Sequence, residues 1–292
     1  MKVEKQRLDL LLVTKGLVES REKARHLILA GEVLVAGYHQ IKSKQVKPGQ
    51  LFPLDAQVSL KTPVKYVSRG GLKLEKAFTI FPVEIQGKVA IDVGASTGGF
   101  TDCLLQHGVD FVYAVDVGYG QIAWRLRQNT NQVKVIERTN IRHIDPSLID
   151  RPPDLAVIDV SFISLTKVLP AVINLLSSSA QIIGLIKPQF EAGKERVLKG
   201  GVIRDATVHV EVIKRIQAEI NQLGWSIAGL TYSPLQGPAG NTEFLSLLAR
   251  SRSNHSRYEY ESTVKQLIQY VVQQAHQYFS NRAFTHQADS VN

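Results

Sequence analysis

The sequence has almost no cysteine, and this absence narrows the classes of protein it can encode. With Cys103 alone, the chain cannot close an internal disulfide or supply a multi-cysteine zinc site. Hydrophobic residues at 44% and charged residues at 21% exclude a mainly disordered, collagen-like or disulfide-stapled chain. The length of 292 residues indicates about two domains, because one domain commonly takes ~150 residues.

The sequence also lacks a signal peptide and a convincing membrane span. Its first ten residues carry charges throughout, without an apolar core that ends in a cleavage site. The longest uncharged stretch, residues 168–186, is interrupted by Pro170, by serines and by Gly184. A helix, a turn and a buried strand explain this stretch better than a span. We therefore predict a cytoplasmic protein without stable membrane insertion.

Positive charge is concentrated near the start of the chain. Residues 1–65 hold 12 Lys/Arg and 6 Asp/Glu, a net charge of +6 out of +9 for the whole sequence. Such an excess is typical of a segment that meets a polyanion, although a merely solvated basic surface would look the same. Within this segment, leucines recur at helical spacing before Gly16, Ser20 stands at an N-cap position, and Val33 and Val35 alternate as a strand.

This small α+β module resembles the S-four-type RNA-binding domain, named after a ribosomal protein. The matching residues are Arg7-Leu8-Asp9, Gly16-Leu17, Ser20-Arg21, Ala24, Leu27-Ile28, Gly31 and residues 33–37. The resemblance implies binding of structured RNA, which proteins recognise mainly through phosphates, shape and 2′-hydroxyls. The basic residues expected to form the RNA-binding surface are Arg7, Arg21, Lys23, Arg25, Lys42 and Lys44.

The rest of the chain alternates apolar runs with amphipathic stretches, which is typical of a mostly parallel, doubly wound α/β sheet. Candidate strands lie at residues 89–93, 111–115, 133–137, 155–158, 182–186, 226–232 and 242–249. A Pro/Gly-rich turn joins the last two, which predicts an antiparallel pair at one edge. The expected boundaries are 1–62 for the RNA-binding domain, 63–71 for a linker, 72–250 for the α/β domain and 251–292 for a helical tail. We expect this tail to be disordered after Asn281.

A glycine-rich turn after the first strand of this sheet is the clearest cofactor signal. Its G-x-x-x-G-G pattern differs from dinucleotide and P-loop patterns, which disfavours NAD and ATP. The turn resembles the S-adenosylmethionine site of Rossmann-like methyltransferases. Asp92 is then expected to hold the methionine end, Asp116 the ribose hydroxyls, and Asn140 the adenine. The expected cofactor-binding residues are Asp92, Gly94, Ala95, Ser96, Thr97, Gly98, Gly99, Phe100, Asp116, Val117 and Asn140.

The residues around this turn indicate which atom receives a methyl group. The tip of the fourth strand lacks the (Asn/Asp)-Pro-Pro-aromatic motif of many amino-methylating enzymes. Methylation of pyrimidine C5 generally needs a cysteine nucleophile, but Cys103 lies at a packing position. An oxygen nucleophile remains, and a ribose hydroxyl must lose its proton as the methyl group is transferred.

Four charged residues are placed to manage that proton. A lysine can serve as the base when burial and neighbouring cations lower its pKa. Lys187 and Asp159 end neighbouring strands, Lys73 opens the helix before the sheet, and Glu243 begins the last strand. We expect these four side chains, with charges of alternating sign, to lie together at a site that requires no metal ion. The alternative is that each forms an ordinary surface ion pair.

Lys73, Asp159, Lys187 and Glu243 match the K-D-K-E tetrad of FtsJ-type ribose 2′-O-methyltransferases. The surrounding strings resemble the hemolysin A (TlyA) family over residues 5–250, at positions 67–74, 94–100, 116–121, 137–140, 159–165, 187–191 and 237–241. This resemblance implies S-adenosylmethionine-dependent 2′-O-methylation of cytidine in ribosomal RNA. It also implies that Lys187 is the general base, that Asp159 and Lys73 position it and the hydroxyl, and that Glu243 orients a lysine or the ribose.

Two other functions stay open at this point. The historical name of the family implies a membrane-active toxin, for which the tail helix is the candidate segment. The other alternative is a ribosome assembly factor that binds RNA without catalysis, against which the complete tetrad argues. The sequence leaves open the target nucleotide, the ribosomal subunit and the oligomeric state.

Overall fold

A computed structural model divides the chain into two compact units, Met1–Lys65 and Tyr66–Asn292. The boundary falls inside the segment 63–71 that the sequence analysis assigned to a linker. The residues that the structure describes are 4–29, 31–36, 46–60, 65–196, 200–251 and 257–288.

The first unit is a small α+β module built around two short helices. Its elements are β1 (Lys5–Arg7), α1 (Leu8–Thr14), α2 (Arg21–Leu29), β2 (Val33–Val35), β3 (Leu51–Pro53) and β4 (Val58–Leu60). Within its described part, β1 pairs with β3 and β2 with β4, both antiparallel. The Ser20 hydroxyl accepts a hydrogen bond from the Lys23 N–H at 3.2 Å, which confirms the predicted N-cap of α2.

The second unit is a layered α/β domain. Its strands are β5 (Val89–Val93), β6 (Phe111–Val115), β7 (Val133–Ile136), β8 (Leu155–Ile158), β9 (Gln181–Ile186), β10 (Trp225–Tyr232) and β11 (Phe244–Arg250). Its α-helices are α3 (Gly70–Ile80), α4 (Gly99–Gln106), α5 (Trp124–Gln128), α6 (Leu165–Ile173), α7 (Pro188–Glu191), α8 (Ala206–Gln222) and α9 (Arg257–Ala288). Short 3₁₀ helices lie at Ile141–His143, Pro146–Leu148 and Lys194–Arg196.

These strands form one sheet within the described residues, in the order β10-β11-β9-β8-β5-β6-β7. The five strands from β9 to β7 in this order are parallel, whereas β11 runs antiparallel to both β9 and β10. The predicted fold class and the predicted antiparallel edge pair are therefore confirmed. Because β11 is reversed, it begins at the edge where the parallel strands end. We call this edge, at Val93, Val115, Ile158, Ile186 and Phe244, the carboxyl edge.

The sheet is buried on both faces because successive side chains of each strand point to opposite sides. Ala90 packs with residues of α3 and α4, while Ile91 packs with residues of α6, α8 and α9. Cys103 is buried in the first of these two layers, as its predicted packing position required. The uncharged stretch 168–186 folds as the end of α6, a turn and β9. No helix in the described part of the chain is long and apolar enough to cross a membrane.

The tail helix α9 docks on the second unit through an apolar stripe. Val264, Ile268, Val271, Val272 and Ala275 are buried in the layer that also contains residues of α8. The backbone of α9 is helical as far as Ala288, and the disorder expected after Asn281 stays a prediction.

Candidate active site

The glycine-rich turn between β5 and α4 passes close to the tip of β8. Gly94 and Gly98 have φ of +85° and +91°, which side-chain-bearing residues rarely adopt. A Cβ at Gly94 would stand 2.6 Å from the carbonyl oxygen of Asp159. The turn therefore needs glycine both for its conformation and for this close approach.

Asp92 lies under this turn with its side chain fully buried. Its Oδ2 accepts a hydrogen bond from the Thr101 hydroxyl at 2.7 Å, while its Oδ1 is buried with no hydrogen-bond partner in the structure. Burial raises the pKa of Asp92 to about 7. A buried acceptor without a partner is uncommon in a folded protein, and here it borders the turn expected to hold a cofactor.

Asp116, at the end of β6, fixes the turn from the other side. Its Oδ2 accepts from the Ser96 N–H at 2.7 Å and its Oδ1 from the Gly118 N–H at 2.6 Å. Each carboxylate oxygen has a second lone pair, so both remain able to accept from ribose hydroxyls. Val117 beside it is 70% exposed and offers an apolar surface.

The other predicted cofactor residues differ in what their side chains can reach. Ser96 and Thr97 are exposed. Ala95 and Phe100 are buried in hydrophobic clusters, and a Cβ at Gly99 would stand 2.1 Å from the Ser68 hydroxyl. Asn140 caps a 3₁₀ helix, because its Oδ1 accepts from the Arg142 N–H at 3.1 Å. At Ala95, Gly99 and Phe100, a cofactor would therefore meet backbone atoms more readily than side chains.

The four predicted catalytic residues come together at the carboxyl edge. The Lys187 ammonium lies 2.5 Å from Oδ1 of Asp159, and the Lys73 ammonium lies 3.9 Å from Oδ2 of the same carboxylate. Lys73 also donates to Oε2 of Glu243 at 2.5 Å. The charges thus form a chain in the order Lys187, Asp159, Lys73, Glu243. We call this chain of four residues the tetrad.

The tetrad is largely withdrawn from water. The side chains of Lys73, Lys187 and Glu243 are 12%, 10% and 1% exposed, and that of Asp159 is 20% exposed. Neutralisation of these charges therefore comes mainly from one another, which distinguishes them from ordinary surface ion pairs. Among the described residues, no three His, Cys, Asp or Glu side chains lie close enough together to hold a metal ion.

The turn before β11, which contains Gly237 and Asn241, lies against Glu243. A Cβ at Gly237 would stand 2.7 Å from Oε1 of Glu243, so only glycine fits there without displacing the carboxylate. Asn241 is buried, and its side chain accepts from the Ile203 N–H at 2.9 Å and donates to the Gly201 carbonyl at 2.8 Å. The segment before α8 is thereby tied to the turn before β11.

Sequence reasoning gave no role to Ser161 and Glu191, which support the tetrad. The Ser161 hydroxyl accepts from the Lys187 ammonium at 2.9 Å. Glu191 on α7 is buried, and its Oε1 accepts from the Leu165 N–H at the start of α6 at 2.8 Å. Burial raises the pKa of Glu191. Glu191 thus links the loop after Lys187 to the loop after Asp159, a contact that no sequence pattern announces.

Phe162 is the second feature that the sequence did not reveal. It follows Asp159 by three residues, is 90% exposed and has a φ of +65°. Its ring centroid lies 5.0 Å from that of Phe190, which follows Lys187. A large apolar side chain held in a strained conformation and in water needs an explanation beyond stability.

The predicted RNA-binding residues of the first unit fall into three groups. Arg7 and Arg21 both bond to the buried carboxylate of Asp9, at 2.9 and 3.0 Å, while about half of each side chain stays exposed. These bonds, that from Arg7 most of all, lower the pKa of Asp9 to about 2. Arg25 is exposed on α2, whereas Lys23 is half-buried. Lys42 and Lys44 lie outside the described residues.

Comparison with protein families assigns both units. Residues 66–250 match the model of the FtsJ-like methyltransferase, and residues 6–51 match that of the S4 domain. The chain is 49% identical over 247 residues to "Putative rRNA methyltransferase YqxC" of Bacillus subtilis (strain 168), covering 84% of this chain and 86% of that protein.

Two further similarities extend over most of the chain. It is 43% identical over 240 residues to "16S/23S rRNA (cytidine-2'-O)-methyltransferase TlyA" of Mycobacterium tuberculosis (strain ATCC 25618 / H37Rv), covering 82% of this chain and 87% of that protein. The solved structure "Putative hemolysin from Streptococcus thermophilus" matches with a TM-score of 0.74 and 40% identity, covering 96% of this chain and 99% of that chain. The chain therefore belongs to the hemolysin A (TlyA) family of FtsJ-like methyltransferases with an S4 domain, which confirms the methyltransferase activity and the S-adenosylmethionine cofactor predicted from its sequence.

Proposed function

We propose that this chain methylates the ribose 2′-hydroxyl of a cytidine in ribosomal RNA, with Lys187 as the general base. The observation that supports this proposal most is the shielded chain of four charges beside the glycine-rich turn. Relatives named as ribosomal RNA (cytidine-2′-O)-methyltransferases support the substrate. We also retain the prediction of a cytoplasmic protein that acts on ribosomal subunits.

The residues of the turn fit S-adenosylmethionine. The cofactor supplies a methyl group on a positively charged sulfur when it is bound. Asp92 has a buried oxygen without a partner, which would be satisfied by the amino group of the methionine end or by a water between them. Asp116 would accept from the ribose, and the exposed side chain of Val117 would cover one face of the adenine.

Lys187 would handle the proton of the reaction. Once deprotonated, it would take the proton of the 2′-hydroxyl as that oxygen attacks the methyl group that the bound cofactor would supply, with the cofactor's thioether as the leaving group. The resulting ammonium is stabilised by the Asp159 carboxylate and by a hydrogen bond to the Ser161 hydroxyl. The proton then leaves to solvent, so that the amine is restored.

The other tetrad members would position the reacting groups. Asp159 is shared by both lysines and so fixes the distance between them. Lys73, held by the almost fully buried Glu243, places a positive charge where the ribose oxygen becomes more negative. A shielded site strengthens each of these interactions relative to the same pairs in water.

Phe162 would hold the target base. RNA-binding proteins commonly take a nucleotide out of its stack and place its base against an aromatic side chain. The exposed ring of Phe162, supported by Phe190 and three residues from Asp159, provides such a surface. The basic residues of the S4 domain would supply phosphate contacts elsewhere on the RNA.

The test uses ribosomal subunits from a strain that lacks this protein. Purified full-length protein and S-adenosylmethionine with a labelled methyl group are added to 30S and 50S subunits, and the labelled nucleotide is mapped by mass spectrometry. We expect a 2′-O-methylcytidine. A methylated base, or methylation of protein only, would contradict the proposal.

Substitution of Lys187 tests the base separately. Lys187→Ala is expected to reduce the rate about 10²–10⁴-fold, which is the usual contribution of general-base catalysis. Lys187→Arg keeps the charge but cannot accept the proton, so we expect a loss of similar size. Binding of S-adenosylmethionine, measured by calorimetry, should change little in either variant. Normal turnover of Lys187→Arg would exclude Lys187 as the base.

A further inference from the structure

Lys76, one turn after Lys73 on α3, has an environment unlike that of the tetrad lysines. Its ammonium lies 3.4 Å from the centroid of the Tyr232 ring and 5.7 Å from that of Tyr278. Among the described residues, no carboxylate lies within ion-pairing distance of it. Of the two lysines of α3, Lys73 is therefore neutralised by acids, whereas the charge of Lys76 is met by aromatic rings alone.

The rings that hold Lys76 form a small aromatic cluster of Tyr232, Tyr278 and Phe279. The centroid of Tyr278 lies 5.3 Å from that of Tyr232 and 5.0 Å from that of Phe279. Tyr232 ends β10, whereas the other two belong to the tail helix α9. The tail thus contributes to the surroundings of a lysine on the same helix as a tetrad residue.

The register of the sheet places the aromatic cluster at the carboxyl edge. Tyr232 is opposite Phe244, the residue after Glu243, and Phe244 is opposite Ile186, the residue before Lys187. The cofactor turn and Asp116 follow β5 and β6, on the other side of β8 and β9 in the strand order. If the methyl donor binds at the ends of β5 and β6, the RNA strand would lie at the ends of β9, β11 and β10.

An unpaired, half-buried ammonium in this position favours an anionic ligand. Burial of Lys76 lowers its pKa to about 8, because desolvation disfavours the charged form. A cation–π contact offsets only part of that desolvation. A phosphate would add an opposite charge and a charge-assisted hydrogen bond to this ammonium.

We propose that Lys76 binds a backbone phosphate of the substrate RNA near the nucleotide being methylated, with the aromatic cluster holding its ammonium in place. This inference rests on the proposed function, since it adds an RNA contact to the same site. Lys76 acts here as a substrate-positioning residue and takes no part in proton or methyl transfer. It also gives the tail helix a role in RNA binding through Tyr278.

The test compares Lys76→Gln with Lys76→Arg and with a matched control, Lys265→Gln, which removes the same charge from an exposed position of α9. We expect Lys76→Gln to raise KM for the ribosomal subunit about tenfold, as loss of a charge-assisted hydrogen bond would do, with kcat and the Kd for S-adenosylmethionine nearly unchanged. Lys76→Arg should restore most of the affinity, and Lys265→Gln should behave as the wild type.

The salt dependence of RNA binding distinguishes a phosphate contact from a purely structural role of Lys76. Loss of one phosphate contact should reduce the slope of log affinity against log salt by about 0.7 to 0.9, whereas a packing defect would leave the slope unchanged. Tyr278→Leu, which removes one ring but not the charge, should raise KM less than Lys76→Gln does. Thermal unfolding of each variant shows whether the fold is retained.

Failure of this inference is distinguishable from failure of the proposed function. If the wild type methylates no subunit, the proposed function fails, and Lys76 is tested by direct binding to 16S and 23S ribosomal RNA. Equal KM and equal salt slopes for Lys76→Gln and the wild type would overturn the role of Lys76 while leaving methylation intact. So would a lower melting temperature of Lys76→Gln without any change in RNA affinity.

Discussion

Both units contain a carboxylate between two basic side chains, and the two arrangements differ in what is exposed. In the S4 domain, Asp9 is buried, but the side chains of Arg7 and Arg21 are 42% and 51% exposed. In the methyltransferase domain, the lysines that share Asp159 are only 12% and 10% exposed. The same kind of ion pair thus orients cations toward solvent in one unit and withdraws them from it in the other.

This difference corresponds to two kinds of task. Exposed guanidinium groups can meet RNA phosphates while Asp9 fixes their direction, and Arg is suited to this because its planar group presents several donors. Shielded ammonium groups interact with fewer waters, so a change of protonation or the arrival of a substrate hydroxyl alters their energy more strongly. A binding surface and a reaction centre can therefore be built from nearly the same residue types.

The largest expected effect comes from breaking the shielded arrangement. Asp159→Asn leaves Lys73 and Lys187 without their common counter-ion, and we expect kcat to fall at least about 10²-fold. The Kd for S-adenosylmethionine should stay within a few-fold of the wild type. Single-turnover methylation with saturating RNA measures the effect, and a change confined to KM would show that Asp159 only helps to bind RNA.

A smaller effect is expected from Glu191, which lies outside the tetrad. Glu191→Ala leaves the buried Leu165 N–H without an acceptor, which typically costs about 1–3 kcal/mol of stability. We expect kcat to fall about tenfold by displacement of the Asp159 and Lys187 loops, and Glu191→Gln to restore most of it by keeping an acceptor oxygen. Equal kcat in Glu191→Ala and the wild type, with a lower melting temperature, would reduce Glu191 to a stabilising role.

The pH dependence of stability should have opposite signs for Asp92 and Asp9. Asp92 has a pKa of about 7 in the folded chain against an ordinary value of 3.8, so the folded chain binds the proton more tightly. Its contribution to the free energy of unfolding therefore falls as pH rises from about 4 to about 7. Urea unfolding of Asp92→Asn between pH 5 and pH 8 should show a flatter profile than the wild type, and an unchanged profile would assign the decline to other groups.

The smallest effect is expected from Asp9, at the acidic end of the range. Its pKa of about 2 lies below the ordinary 3.8, so the folded chain binds the proton less tightly. The stability that Asp9 contributes is complete above about pH 4 and is lost as pH falls through about 2. Acid unfolding of the first unit, followed by fluorescence or circular dichroism, should start at higher pH in Asp9→Asn. Identical acid transitions would show that its two arginine bonds add no net stability.

The sequence predicted the sheet and the tetrad because both depend on local signals. An apolar run marks each strand, and a charged residue directly after it marks a position at the carboxyl edge, as for Asp159 and Lys187. Lys73 opens a predicted helix and Glu243 begins the last predicted strand, so the pattern placed them near the other two, and the family resemblance then named the four as one tetrad. For these residues, position along the chain was enough to predict position in space.

The supporting contacts could not be predicted in this way. Asp9 accepts from Arg21 across 12 positions, and Glu191 accepts from Leu165 across 26. Both contacts depend on how loops and side chains pack after the elements have formed. The positive φ of Phe162 could not be predicted either, because phenylalanine rarely adopts this conformation.

The pairing of Lys73 with Glu243 joins residues 170 positions apart. A bond of such long range forms only when the intervening strands have assembled, since loop closure over that distance is entropically unfavourable on its own. A nascent chain that ends before β11 would contain the glycine-rich turn and Lys187, the proposed base. It would lack Glu243, the carboxylate that holds Lys73. Methylating capacity is therefore expected to be acquired late in synthesis, after nearly the whole enzyme has been made.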